Sequence, residues 1–153
     1  MSTSVADGLN RDLTVSGLVR RNDDVLLVRT PTRGWEMPGG FVDGTDTTCA
    51  AALAREVLEE SNCEAMAQRL LLVTERTTAP RVVNMVYACA YLSGSPKAGM
   101  ECVDAGWFKP VDALAAVTYW PAQLRLACCL GKDYGTVGYV AYEETAINEY
   151  RLL

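Results

Sequence analysis

The sequence predicts an α/β fold in which a mixed β-sheet lies between helical layers. Three observations point there. β-rich and helical stretches follow one another without the strict strand–helix alternation of an all-parallel sheet. A helical stretch with an Ala-rich first half, CAAALAREVLEES, separates the early strands from the late ones. The chain has 153 residues, half of them hydrophobic, which suits one domain over 1–153 with a proper core.

Each element follows from local pattern. Leu13 to Arg21 and Asp24 to Thr30 read as a strand pair turned at Asn22-Asp23, the second apolar on consecutive positions as a buried strand is. Pro31 to Gly34 forms a loop into Trp35, and Pro38-Gly39-Gly40 a turn whose glycines allow close backbone approach. Thr47 or Thr48 caps the central helix. Arg69 to Thr74 and Val82 to Leu92 are β-rich, the latter with Tyr87 and Tyr91, and Ser93-Gly94-Ser95-Pro96 breaks the pattern. Gly106-Trp107-Phe108 ends another strand. Pro110 to Val117 reads as a short helix and Pro121 to Leu130 as a longer one, with proline near its first turn. Val137 to Tyr142 is a last strand, followed by an amphipathic tail.

Composition excludes several classes. A net charge of -5 with no dense basic face argues against a nucleic-acid polymer as partner, though not against a small phosphorylated ligand. No apolar run reaches membrane-spanning length and the start MSTSVADGLNRD has no signal-peptide core, so no membrane partner and a cytoplasmic location are expected. The six cysteines form no C-x-x-C pair and lie in apolar or helical patterns, as reduced structural thiols do. With no histidine, a zinc site is not expected. A homodimer is compatible with the sequence.

The chemistry concentrates on the central helix. At about 100° per residue, with Glu56 at zero, Glu60 falls near 40° and Glu59 near -60°, while Ala50, Leu53, Ala54 and Val57 cluster between about 60° and 160°. Glu56 and Glu60 therefore border the apolar stripe. Like charges at this spacing repel unless a cation offsets them, and carboxylates without histidine or thiolate select hard ions, Mg²⁺ or Mn²⁺. Arg55 reaches Glu59 at i, i+4. The competing reading, a merely solvated acidic face, is weakened by the Gly-Gly turn a short distance upstream.

Together these residues resemble the Nudix box: Gly, five residues, Glu, seven residues, Arg-Glu, an apolar residue, any residue, Glu-Glu, any residue, Gly and an apolar residue. Gly40, Arg55, Glu56, Val57, Glu59, Glu60 and Cys63 match it, over about 40–63, and WEMPGG is similar to the family's lead-in. Two departures stand out. The span from Gly40 to Arg55 is one residue longer, so Asp46 keeps the spacing from Gly40 while Thr47 keeps the spacing to Arg55. Asn62 replaces the closing glycine, and Asn is the non-glycine residue that best tolerates the left-handed C-cap.

The resemblance implies a Nudix-type α/β/α sandwich with a mixed β-sheet and a pyrophosphohydrolase dependent on Mg²⁺ or Mn²⁺. It cleaves a nucleoside diphosphate linked to another moiety, such as a nucleotide sugar. Glu56 and Glu60 lead as metal ligands, Glu59 is shared between ligation and base chemistry, the Gly40 carbonyl completes the shell, and Arg55 orients the cluster. Glu101, before Trp107-Phe108, is similar to an acid from which some members draw a catalytic carboxylate. Trp35 and Tyr87/Tyr91 are candidates to meet a ring, and Arg33, Arg76 and Arg81, with Arg20 and Arg29, to meet phosphate. Three other readings are a triphosphate pyrophosphatase that cleanses the nucleotide pool, a non-catalytic nucleotide sensor of the same fold, and an isoprenoid diphosphate isomerase. The last is disfavoured because such enzymes use a histidine.

Overall fold

The structure is a computed structural model that describes residues 10–131 and 135–153; the opening residues 1–9, part of the stretch without a signal-peptide core, lie outside that range. Its elements run β1 (Asp12–Arg21), β2 (Asp24–Thr30), β3 (Gly34–Glu36), β4 (Gly39–Phe41), α1 (Cys49–Ser61), β5 (Cys63–Arg76), β6 (Val82–Gly94), β7 (Asp104–Phe108), α2 (Pro110–Ala116), α3 (Trp120–Leu130), β8 (Gly138–Ala146) and β9 (Glu149–Leu152).

The described strands form one curled sheet in the order β3-β2-β1-β6-β5-β8-β9, with β4 also paired to β1 and β7 to β2. β1–β6 and β5–β8 run parallel and the other pairs antiparallel, which makes the sheet mixed. Period-two alternation divides its side chains between two cores. Val15, Val19 and Leu26 face α1, packing on Ala52, Leu53 and Val57. Leu18, Val25, Leu27, Leu72 and Val86 face α2 and α3, packing on Ala113, Val117 and Leu126. β2 is covered on both faces, which is why its apolar residues are consecutive rather than alternating. The result is the expected α/β/α sandwich. No described helix is long and apolar enough to cross a membrane.

The hairpin at Asn22-Asp23 forms with Asn22 in the left-handed region, φ 54°. Three segments differ from the sequence expectation. Gly39–Gly40 is a short strand on β1 rather than a free turn. β5 begins at Cys63 instead of Arg69, because register shifts between Glu64 and Ala65, Ala67 and Arg69, and Leu70 and Leu72 blur its alternation. The tail forms β9, returned onto β8 by Asn148 at φ 61°.

Candidate functional site

α1 is built from its caps inward. Thr48 Oγ1 accepts the Ala51 N–H at 3.0 Å, so Thr48 rather than Thr47 is the N-cap. Asn62 closes the helix at φ 59°, its N–H donating to the Leu58 carbonyl. The buried face is Ala52, Leu53, Glu56, Val57, Glu60 and Ser61. Ala52, near -40° on the wheel used above, is fully buried, so this face is rotated toward the acids. Glu56 and Glu60 lie within it, not at its border as the stripe suggested. The neighbour on that side is β4: a Cβ on Gly40 would stand 2.5 Å from the Glu56 carboxyl, and one on Gly39 2.0 Å from the Val15 carbonyl oxygen. Only glycine lets the strand pass between β1 and the acids.

Arg55 organises the solvent side. Its guanidinium donates twice to Asp46, at 3.0 and 2.9 Å, and also to Glu56 at 3.0 Å, Glu59 at 3.2 Å and the Phe41 carbonyl at 3.2 Å. Hydrogen bonds from Arg55 hold the Asp46 carboxyl down at about 2. Asp46 thus occupies the bracing place that the lengthened loop left open, and its Oδ2 accepts the Asp43 N–H within that loop. Thr47 is exposed.

Glu60 is the most deeply set acid of the three. Its Oε1 accepts the Gly39 N–H at 3.0 Å and its Oε2 accepts the Cys102 thiol at 3.3 Å. Desolvation outweighs those bonds and pushes its pKa up to about 7, with Glu56 and Glu36 adding repulsion. Burial likewise raises Glu56, against the pull of Arg55, and Glu59 and Glu101 add to the rise. Glu59 itself stays exposed.

Cys102 and Glu101 reach α1 through the loop between β6 and β7. There the N–H groups of Lys97 and Gly99 donate to the Ser61 and Glu60 carbonyls, capping the helix end. Glu101 is exposed beside the cluster. All six cysteines are free thiols, but Cys102 is more than filler, since it fixes one oxygen of Glu60.

On the other side of β4 a cleft of about 220 Å³ opens over the sheet, between Thr14, Ser16 and Asn84 on its floor and Tyr119, Pro121, Arg125 and Tyr142 on its wall. Val15, Arg33, Glu36, Met37, Gly39, Gly40, Phe41, Arg76 and Val82 complete it. Arg33 is held by Glu36 at 2.7 Å and lies 5.9 Å from the Tyr119 ring, and Arg76 is paired with Glu144.

Of the ring and phosphate candidates, Arg33 and Arg76 thus line the cleft and the others do not. Trp35 packs edge-on to Phe108 at 4.8 Å within the core on the α2–α3 side. Tyr87 and Tyr91 pack on the α1 side, Tyr91 edge-on to Trp107 at 5.3 Å. Arg81 donates to the Thr77 carbonyl outside the cleft. Arg29 is exposed on β2, and Arg20 lies at the opposite end of β1 from Thr14. Glu36, Asn84, Cys102, Arg125 and Tyr142 were not singled out from sequence. Only Asn84 carried a signal, as an amide within an apolar strand.

Among the described residues, no three acidic or thiol side chains converge closely enough to hold one ion as they stand, because Arg55 draws Glu56 and Glu59 toward itself. The donor chemistry nevertheless fits a hard divalent cation: Glu56 and Glu60 are carboxylates whose ionised forms burial disfavours, and a dication relieves that.

Known proteins resemble this chain in sequence and fold. A MutT-like protein of Streptomyces ambofaciens is 33% identical over 100 residues, 64% of this chain and 64% of the relative, so the match spans somewhat less than two thirds of that protein. A solved ADP-ribose pyrophosphatase of Streptococcus suis superimposes with a TM-score of 0.71 at 26% identity, covering 85% of this chain and 99% of that one. A MutT protein of Bacillus halodurans, at 19% identity, shares the fold with a TM-score of 0.75 over 92% of this chain and 97% of its own. The NUDIX domain model matches residues 10–127, most of the chain, and with the box residues gathered around α1 the chain belongs to the Nudix hydrolase family.

Proposed function

We propose that this protein is a pyrophosphohydrolase acting on a nucleoside diphosphate linked to a second group. The observation that carries the reading is the pairing of two features across β4: the buried acids Glu56 and Glu60 on one side and the arginine-lined cleft on the other. Glu56 and Glu60, with the Gly40 carbonyl, are the groups that would hold Mg²⁺ or Mn²⁺. A divalent ion there supplies neutralising charge to the diphosphate and lowers the pKa of the attacking water.

The chain's own groups do the rest. The cleft binds the organic part of the substrate and points its diphosphate across Gly39–Gly40. Arg55, braced by Asp46, keeps Glu56 and Glu59 in place. Glu59 and Glu101 are the exposed carboxylates beside the buried pair, and one of them takes the proton as water attacks phosphorus. The bond from that phosphorus to the bridging oxygen breaks, and the oxygen leaves on the other phosphate. A nucleoside monophosphate and a phosphorylated partner result.

A conjugate suits the cleft better than a triphosphate, since Arg33 and Arg76 are already paired with Glu36 and Glu144. The Streptococcus suis neighbour, named for ADP-ribose, supports the same class. The test is a product-resolved screen of nucleotide sugars, dinucleotides, capped ends and nucleoside triphosphates with Mg²⁺ and Mn²⁺. The expected result is a conjugate with the highest kcat/KM and a nucleoside monophosphate among the products. A triphosphate that outruns every conjugate and releases pyrophosphate overturns the reading.

A further inference from the structure

We infer that Asn84 selects the base of the substrate, its amide oxygen accepting a hydrogen bond from an N–H on that base in the cleft; this deepens, and rests on, the nucleotide-conjugate reading. Asn84 is 5% exposed on β6, at the centre of the sheet, between Val82 and Val86 on the same face. A polar side chain in such a floor needs a reason. Its Nδ2 donates to Thr14 Oγ1 at 2.7 Å and to Ser16 Oγ at 3.1 Å, both on β1, which uses both amide hydrogens; the Thr14 hydroxyl donates in turn to the Val83 carbonyl, which leaves it to accept from Asn84. Its Oδ1 is buried and has no partner among the described residues. A shielded acceptor left unmade is costly, and its occurrence in a folded core asks for an explanation.

The surroundings say what kind of donor completes it. The residue lines the cleft, whose wall of Tyr119, Pro121, Arg125 and Tyr142 sets two aromatic rings and a proline beside a guanidinium, surfaces against which a planar base can lie. Arg76 lines the same cleft, and its Nε is likewise buried with no partner among the described residues. The cleft therefore offers one unmade acceptor and one unmade donor. A base with an N–H beside a ring nitrogen or carbonyl presents both partners on one rigid edge, whereas an aliphatic group leaves them unpaired. A site built to pair a ligand N–H discriminates against an analogue that lacks it far more than an apolar pocket does.

The test is binding without turnover, so that it stands apart from the hydrolysis assay. The 5′-monophosphates of adenosine, guanosine, cytidine, uridine and purine riboside, the last with no N–H on its base, are titrated in chelator into the wild type, Asn84→Leu and Asn84→Asp. In the wild type the best natural nucleotide should bind about tenfold or more tighter than the purine riboside compound. Asn84→Leu should bring all five within about threefold, while Asn84→Asp, which keeps an acceptor, preserves their ranking. If Asn84→Leu does not fold, the wild-type comparison with purine riboside decides. Equal binding of that compound, an unchanged spread in Asn84→Leu, a ranking lost as fully in Asn84→Asp, or no binding by any of the five overturns the inference. Base-selective binding without hydrolysis of any conjugate would sink the proposed reaction and leave Asn84 standing; hydrolysis without base preference would do the reverse.

Discussion

The two sides of the Gly39–Gly40 strand are built in opposite ways. On the α1 side, Arg55, Glu56, Glu59 and Glu60 come from little more than one turn of one helix, and helical periodicity gathers them on one side, where β4 buries Glu56 and Glu60. On the cleft side, Thr14, Ser16, Asn84, Arg125 and Tyr142 come from β1, β6, α3 and β8 and meet through sheet register, such as Thr14 opposite Asn84. On the proposed reading, the comparison teaches a division of labour: groups for the reacting bond are clustered locally and strongly coupled, and groups for recognition are assembled at long range and separable.

That division is broken most directly by kinetics. Glu56→Gln and Glu60→Gln should each lower kcat by about 10²–10³, several kcal/mol of lost charge stabilisation, with KM little changed. Arg125→Ala, on the cleft wall, should raise KM about three- to tenfold and keep kcat within about twofold, as loss of uniform binding does. Steady-state kinetics on the preferred conjugate reads both. A KM effect from the glutamates, or a kcat effect from Arg125 of the same size as theirs, erases the distinction.

A second prediction separates two carboxylates of the α1 side by pH. Glu60 has its folded pKa raised by burial from an ordinary 4.5 to about 7. The protonated form is thus the one the fold favours, so Glu60's contribution is fully present below about pH 4.5 and is lost as pH rises through about 7. The shift corresponds to about 3 kcal/mol, or about 6–12 °C in a domain of this size. In chelator, the Tm of the wild type minus that of Glu60→Gln should fall by about that much between pH 4.5 and 7.5. Parallel curves would show that Glu60 is not desolvated. Asp46 has the opposite sign: Arg55 lowers it to about 2, so its contribution is present above its ordinary 3.8 and is lost only as pH falls toward 2. It is silent in the window that tests Glu60.

The same contrast explains what was legible in the sequence. The hairpin at Asn22, both helices behind their prolines and the gathering of Glu56, Glu59 and Glu60 on one side of α1 could be read because each depends on neighbours within a few residues, whereas the burial of Glu56 and Glu60 could not, since β4 covers them. The Asp46 brace was legible as a spacing, though its reach across the longer loop was not. Trp35 could not be assigned between ring binding and core, since only the position of Phe108, from β7, decides it. Asn84, Arg125 and Tyr142 were missed because nothing in their own segments shows that three distant strands and a helix converge. Glu36 was hidden inside a lead-in noticed for its glycines, and Cys102 inside a set of cysteines read as filler.

The smallest effect sharpens the comparison from within the α1 side. If the Arg55 network is one coupled unit, a residue that touches neither substrate nor Glu60 should still affect turnover through it. Asp46 is that residue: two hydrogen bonds join it to Arg55, which in turn holds Glu56 and Glu59. Asp46→Ala leaves Arg55 with its remaining acceptors, so it should rotate toward Glu56 and compete harder for the carboxylate that has to hold a cation. The expected loss in kcat is about tenfold, the lower end of what removing an outer-shell partner costs, with the Mg²⁺ concentration for half-maximal rate rising in step. Thr47→Ala, at an exposed position whose side chain makes no hydrogen bond among the described residues, should stay within about twofold. Because Asp46→Glu restores a carboxylate at the end of a longer arm, it should recover part of the rate if bracing is the role. Equal, small effects from Asp46→Ala and Thr47→Ala would show that Arg55 needs no brace, and would shift weight to a nucleotide sensor that keeps the fold without the reaction.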